Sequence, residues 1–494
     1  MKKLFNFRPI VFGGVFLAFG IISAVVGAKF GVLVPAVLTT FTFTGFVVFA
    51  TLTKKRSFAY YGAIFAAMFF LGFMLEYGDV KSSYNYDGVM MTASFSGEVE
   101  SVTGSSGDGV YKVVIRNVYS DDVDFGSAKA VLITPAEGLY RGDIVSGRAS
   151  FYKRALSFDD IYRLANDIAF VCEDKVELAL ISRSDRLSDL VSRYAAETVV
   201  SAVPDGQAGI MTALVFGNTE YIDGETLSGY RLSGIAHIFA VSGLHIGFFY
   251  AIMSFFIGKL RIKRWQSTVI CTILSLFYAI VCSSVSAYRA VIMCFIYGMS
   301  RSFGKKYDVI NSIFISMAIV LAVFPSSLFG AGFILSYSAV ISLALFTSGF
   351  KKLFGFLPEK LGEKFAASCA VVAGTLPAIA YFFGFASVLT VFLNVLLLPV
   401  VTVLYVISFF GVIALLIFGK VSVFLFVANA VAYGLNAFVS AIEHRRFVLS
   451  LNADKVLLSI YSIILLLTSR RLNLPEKMRK YLYIALPVTA ALLV

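Results

Sequence analysis

Apolar runs of membrane-spanning length recur along almost the whole chain, with basic clusters between them. A helix needs about 20 such residues to cross the hydrocarbon of a bilayer, where each backbone polar group must be paired within the protein. Three runs open the chain at 10–28, 31–52 and 57–75, and ten more follow between residues 237 and 494. This repetition predicts a polytopic α-helical membrane protein of about 13 spans. Composition agrees: 59% of residues are hydrophobic and 15% charged, whereas a soluble domain is nearer half apolar and a quarter charged. The first run follows Lys2, Lys3 and Arg8 with no small-residue cleavage site after it, so a retained span is expected rather than a signal peptide.

The basic clusters orient the spans. Lys and Arg crowd into 2–8, 54–56, 259–264, 301–306, 351–364 and 470–480. The positive-inside rule puts each cluster in the cytoplasm, which leaves the one long polar stretch and the C-terminus outside. The net charge of +12 is read first as this loop bias and only second as a preference for an anionic ligand. The orientation holds only if 388–418 crosses once. Its first part, to Leu398, is then expected to be a re-entrant or half helix broken at Asn394 and Pro399. Broken helices at membrane depth line a cavity or are wrapped by protein, which makes Asn394 and Pro399 candidates for a pathway. A helix merely kinked by Pro399 is the alternative.

The chain divides into N-terminal helices (1–75), a soluble domain (76–182), an amphipathic helical connector (183–236) and a second transmembrane region (237–494). Within 76–182, alternating apolar and polar residues predict strands at 93–102, 110–118, 129–134 and 144–151. A helix-like piece at 159–166 and strands at 168–171 and 176–181 follow. About five short strands with Gly-rich turns predict a small all-β, OB-like barrel. Residues 187–203 carry apolar positions at helical spacing, accompanied by Arg183, Arg186 and Arg193, and predict a helix either lying on the membrane surface or packed on protein. Of the five cysteines only Cys172 falls in the soluble part, so no disulfide framework is expected there.

Residues 237–250 gather the chemistry. Two of the chain's three histidines, His237 and His245, flank Ser242 and Gly243 at the mouth of a span, and Arg289 lies early in a later one. Polar groups at such a place are functional candidates. Two histidines without a third ligand make a poor metal site, and His444 is remote in sequence. A serine and a histidine three residues apart on one helix are badly placed for general-base catalysis. Interhelical hydrogen bonding and close packing remain, compatible with a pore lining. Arg289 either reaches toward lipid headgroups or presents charge to an anionic substrate. No Walker A loop occurs, so directed transport would need a partner or a gradient. No cofactor, metal or catalytic residue is expected.

The stretch 213–218 (ALVFGN) followed by 231–247 (RLSGIAHIFAVSGLHIG) resembles the signature of the ComEC family of competence proteins. Tyr288-Arg289-Ala290, the GFILS run at 332–336, GTLP at 374–377 and FLNVLLLP at 392–399 fit the same family in order. The resemblance covers roughly 57–467. It implies an inner-membrane channel, multi-pass in the bacterial cytoplasmic membrane, that translocates single-stranded DNA in natural transformation. His237, Ser242, Gly243, His245, Arg289, Asn394 and Pro399 would line the pathway. An OB-like domain would handle the strand with basic and aromatic residues; candidates are Tyr111, Lys112, Arg116, Arg148, Tyr152, Lys153 and Arg154. Many members carry a C-terminal metallo-β-lactamase-like domain that this sequence lacks. No enzyme activity is therefore expected, and the implied partners are membrane lipid, an external DNA receptor, a separate nuclease and a cytoplasmic helicase or ATPase, with a homo-oligomer left open. Alternatives are a transporter of the same fold for another substrate, or a membrane-embedded hydrolase.

Overall fold

The computed structural model describes residues 9–31, 37, 40, 44, 56–84, 88–104, 110–123, 125, 128–135, 138–158, 160–203, 207–219, 221–419, 423–443, 447–451, 454–469 and 475–493. They form two compact units, one of residues 8–194 with 314–330 and one of the remainder.

The first unit begins with α1 (Pro9–Phe30) and α2 (Arg56–Ser83). Gly20 and Gly72 let them approach closely: a Cβ at either would run into the backbone carbonyl of Phe69 or Leu17 on the other helix. Small residues at crossings are how apolar helices pack where water provides no driving force. Phe65 closes the contact against Phe16, with ring centroids 5.2 Å apart.

Six strands follow: β1 (Met90–Gly104), β2 (Tyr111–Tyr119), β3 (Lys129–Thr134), β4 (Ile144–Lys153), β5 (Ile168–Lys175) and β6 (Ala179–Ser182). β1 pairs with both β2 and β4, β2 with β3, β3 in parallel with β5, and β5 with β4, so five strands close into a barrel while β6 adds to β4. β1 can serve two neighbours because it is 15 residues long and irregular at 96–98 and 99–101; bulges bend and twist a strand. Inward residues of the five barrel strands meet in one core, where Phe151 packs edge-on against Phe95 at 5.3 Å and Phe125 at 5.1 Å. Burying such a ring stabilises by about 1.5–3 kcal/mol. The barrel fits the OB-like expectation. Its short helix α3 (Ile161–Asn166) lies between β4 and β5.

The helix α4 (Leu187–Ala202) starts beside the barrel. The arginines within it and just before its start are ion-paired. Arg183 meets the fully buried Asp143 at 2.6 Å, Arg193 meets the same carboxylate at 3.6 Å, and Arg186 pairs with Glu98. Each of these guanidinia has a carboxylate partner, while Leu187, Leu190 and Tyr194 of the helix are exposed. Gly142 turns the chain into Asp143 with φ +87°, and a side chain there would strike Ser184.

The second unit is helical: α5 (Gln207–Phe216), α6 (Gly224–Leu232), α7 (Gly243–Ile257), α8 (Arg264–Cys282), α9 (Val285–Ser302), α10 (Val309–Val323, shared with the first unit), α11 (Ala331–Phe350), α12 (Glu359–Phe383), α13 (Thr390–Phe418), α14 (Val423–Glu443), α15 (Lys455–Thr468) and α16 (Glu476–Ala491). A ribbon of β7 (Phe385–Ser387) and β8 (Val448–Ser450) ties two of their connections.

Among the described residues eight helices are long and apolar enough to cross a membrane: α1, α2, the segment ending in α7, α8, α11, α12, α13 and α14. Against the 13 expected runs, 31–52 lies almost wholly outside the described residues, α10 and α15 are shorter, and α9 and α16 fall outside the eight. The break expected at Asn394–Pro399 is not there. α13 is one helix of 29 residues with Pro399 inside it. A lone proline removes a single backbone bond, and apolar residues on both sides keep the helix continuous. At 1.5 Å per residue it is about 44 Å long, more than the hydrocarbon needs.

Candidate functional site

After the 3-10 turn Ala236–Ile238 the chain runs extended through Ser242, with φ −110° and ψ 177°, and enters α7 at Gly243. His237 is therefore outside the helix, exposed, and not on one continuous face with His245. Only a continuous helix would put these two histidines on one face, and Ser242 caps the helix between them. Its Oγ accepts from the Leu244 amide at 3.3 Å, and His245 Nδ1 accepts from the Ser242 amide at 3.0 Å. Two amides that no helical carbonyl can reach are thus satisfied reciprocally. An accepting Nδ1 places the ring proton on Nε2, which is buried without a partner.

His245 is held by α13. The Tyr405 ring stands edge-on to the imidazole at 4.4 Å, and its hydroxyl donates to the His245 carbonyl at 3.3 Å. Tyr278 of α8 lies 3.3 Å from the Tyr405 hydroxyl and donates to the Val215 carbonyl of α5 at 2.5 Å. Four helices thus converge on the start of α7. Tyr405 had no signal in the sequence beyond being aromatic in an apolar run.

Arg289, on the first turns of α9, is 5% exposed. Its Nη1 donates to the Ser336 carbonyl of α11 at 2.5 Å and its Nη2 to Ser286 Oγ at 3.4 Å, while Nε is buried without a partner. Ser336 Oγ in turn bonds Ser286 Oγ at 2.8 Å, and the Tyr337 ring lies 5.6 Å from the guanidinium. Gly243 faces this group: a Cβ placed on it would be 3.5 Å from Arg289 Nη2. Ser242, Gly243, His245 and Arg289 are therefore brought to one place. Asn394 is buried in α13 with its Oδ1 unpartnered, whereas Pro399 is exposed. His444 lies outside the described residues.

On the barrel the candidates separate. Arg116 is bonded to Glu98 at 2.6 Å, which accounts for its raised pKa against the cost of burial. Lys112 sits over the Tyr162 ring at 4.1 Å and Lys153 lies 5.5 Å from that of Phe170. Tyr111 packs against the barrel core. Arg148 and Arg154 are exposed and make no ion pair among the described residues. Arg148 alternates with the inward Ala149 and Phe151, as Tyr152 does, and stands opposite Ser94 on β1. Thr92 and Ser150 bond across the same strand pair at 2.9 Å. Arg148, Ser150 and Tyr152 thus form an outward stripe, apart from Lys112 and Arg116 on β2.

One cluster escaped the sequence reading. Ser326, in the turn Pro325–Phe329, bonds Asp167 Oδ1 at 2.5 Å and Glu76 Oε2 at 3.2 Å. Asp167 ends α3 in the left-handed region with φ 57°. Burial pushes its carboxyl above the ordinary range. The three residues are 91 to 250 positions apart in pairs that no local pattern links.

A helical membrane protein with an inserted OB-like barrel is the class these features define. Residues 214–473, more than half of the chain, match the family model described as Competence protein, and the chain belongs to that family. It is 30% identical over 203 residues to ComE operon protein 3 of Bacillus subtilis (strain 168), covering 41% of this chain and 26% of that protein. It is 27% identical over 207 residues to an uncharacterized protein of Aquifex aeolicus (strain VF5), covering 41% of this chain and 46% of the relative. The chain thus spans about a quarter and about half of these relatives' lengths. No solved structure matches it.

Proposed function

We propose that this chain passes a single strand of DNA across the bacterial cytoplasmic membrane during natural transformation. The observation that carries the reading is the pairing, in one chain, of a family-matched helical region with a closed OB-like barrel. Barrels of this kind take single strands along basic and aromatic surfaces, and the Arg148–Tyr152 stripe is the surface of that composition here. In this reading the helices cross about 13 times, the barrel and the C-terminus face outward, and the strand enters the bundle at Ser242–His245. An external receptor, a separate nuclease, a cytoplasmic helicase or ATPase and a possible second copy of the chain complete the machinery, with lipid around it.

The reading assigns no catalysis to Ser242 and His245. A general base needs a free lone pair toward the serine. Although Ser242 Oγ is 3.3 Å from His245 Nδ1, that nitrogen already accepts from an amide. Deleting the gene and following labelled DNA under competence conditions tests the function. Loss of uptake, restored by the wild-type chain, is expected; unchanged uptake sinks the reading. Ser242→Ala removes the helix cap and one hydroxyl donor and should lower uptake only in part, whereas a hydrolase would lose its activity altogether.

A further inference from the structure

Arg289 is a buried cation with too few partners. A guanidinium carries five N–H donors, and here one goes to a carbonyl and one, at 3.4 Å, to a serine hydroxyl. No carboxylate touches it among the described residues. Every element around it is free of acids: between Glu225 and Asp308 the chain has nine Lys or Arg and no Asp or Glu, and α11 has none either. Its other neighbour is the start of α7, where the Gly243 amide has no helical acceptor and the aligned peptide dipoles leave partial positive charge. Two positive groups facing each other away from water repel unless an anion lies between them.

We propose that the start of α7, with Arg289 beneath it, binds one phosphodiester group of a single DNA strand. The inference rests on the functional reading above and names the chemistry of that site. Gly243 makes the approach open. It is partly exposed, and the space where its side chain would be leads directly to Arg289 Nη2. A ligand entering there meets the Gly243 amide, the Ser242 hydroxyl and the guanidinium together, all of them donors toward an oxyanion. The inward position of Arg289, bonded to a carbonyl of α11, favours a strand inside the bundle over a lipid headgroup at its rim. With one charge and neutral donors, and no base-reading group, the site holds successive phosphates alike.

Purified full-length protein in neutral-lipid nanodiscs would be titrated with a labelled oligothymidine over a range of salt. Arg289→Met should weaken binding and lower the salt slope by about one, as expected for one lost phosphate contact. Gly243→Ala, whose Cβ would meet only ordinary contacts at 3.5 and 3.8 Å, should keep the wild-type melting temperature and still weaken binding by filling the approach. A methylphosphonate oligonucleotide, which lacks the backbone charge, should bind wild type and both variants alike. Inorganic phosphate should raise the melting temperature of wild type but not of Arg289→Met. An unchanged slope in Arg289→Met together with unchanged binding in Gly243→Ala would overturn the site and leave the functional reading standing. Phosphate protection with no oligonucleotide binding would overturn DNA as the ligand and the functional reading with it. Protection by phosphatidylglycerol in place of the oligonucleotide would assign the site to lipid and overturn the proposal.

Discussion

In the barrel unit Asp143 holds Arg183 and Arg193, Glu98 holds Arg116 and Arg186, and Asp189 holds Arg141; in the helical unit Arg289 has a carbonyl and a serine. The side chains of these five arginines are between 20% and 53% exposed, while Arg289 as a residue is 5% exposed. Charges that keep water gain little from a partner, whereas a buried charge needs one badly. Among the described residues these partly hydrated arginines thus have carboxylates, and the far more buried Arg289 has none. That inversion is what a structural ion pair and a ligand site look like side by side, and it can be attacked from either end.

The largest expected effect comes from giving Arg289 a partner of its own. In Ser286→Asp the new carboxylate replaces a hydroxyl 3.4 Å from Nη2, at a helix N-terminus that favours negative charge. DNA uptake should fall about 100-fold, the upper range for one charged hydrogen bond, while the melting temperature holds or rises. Unchanged uptake would mean that Arg289 is a structural tie. At the other end, Asp143→Ala strips Arg183 and Arg193 of their carboxylate. It should cost about 2–3 kcal/mol in denaturant unfolding, less than a fully buried pair because both arginines keep some water. Gly142→Ala, at φ +87° against Ser184, should cost about 1–2 kcal/mol in the same assay. Arg148→Gln with Arg154→Gln, which make no ion pair among the described residues, should weaken single-strand binding by about fivefold and flatten its salt dependence without moving the melting temperature.

The smallest effect is a pH dependence. Because burial raises the Asp167 carboxyl, the folded chain holds that proton more tightly than the unfolded one. The stability it contributes is complete below the unfolded value of about 3.9 and is lost as pH rises through the folded one. Asp167→Asn, which still accepts from Ser326, should flatten melting temperature against pH across that window. Parallel curves for wild type and variant would show that Asp167 does not titrate differently on folding.

Where the sequence was readable, it was readable through period. The strand expected at 129–134 forms at Lys129–Thr134, the one expected at 144–151 runs from Ile144 to Lys153, and the helix expected at 187–203 spans Leu187–Ala202. Residues 237–250 were singled out by their polar groups, and the structure does gather Ser242, Gly243, His245 and Arg289. No break forms at Asn394–Pro399, because one proline costs a single helical bond and the apolar flanks carry the helix through. His237 and His245 were separated by a cap that depends on one serine's backbone turning extended. The pairing of Arg116 with Glu98 across the strand pair has no signal in the sequence, because the two are 18 residues apart.

The sequence by itself determined the membrane class, the alternation of spans and basic loops, and the strands of the barrel, because hydrophobic period and burial are local properties of a chain. Only the tertiary structure decided that β1 closes the barrel by pairing on both edges, that Tyr405 reaches His245 from 160 residues away, and that Arg289 meets no carboxylate among the described residues. Those outcomes depend on which distant groups arrive in the same few ångströms, and the energy of a buried charge is set by that company rather than by its neighbours in sequence.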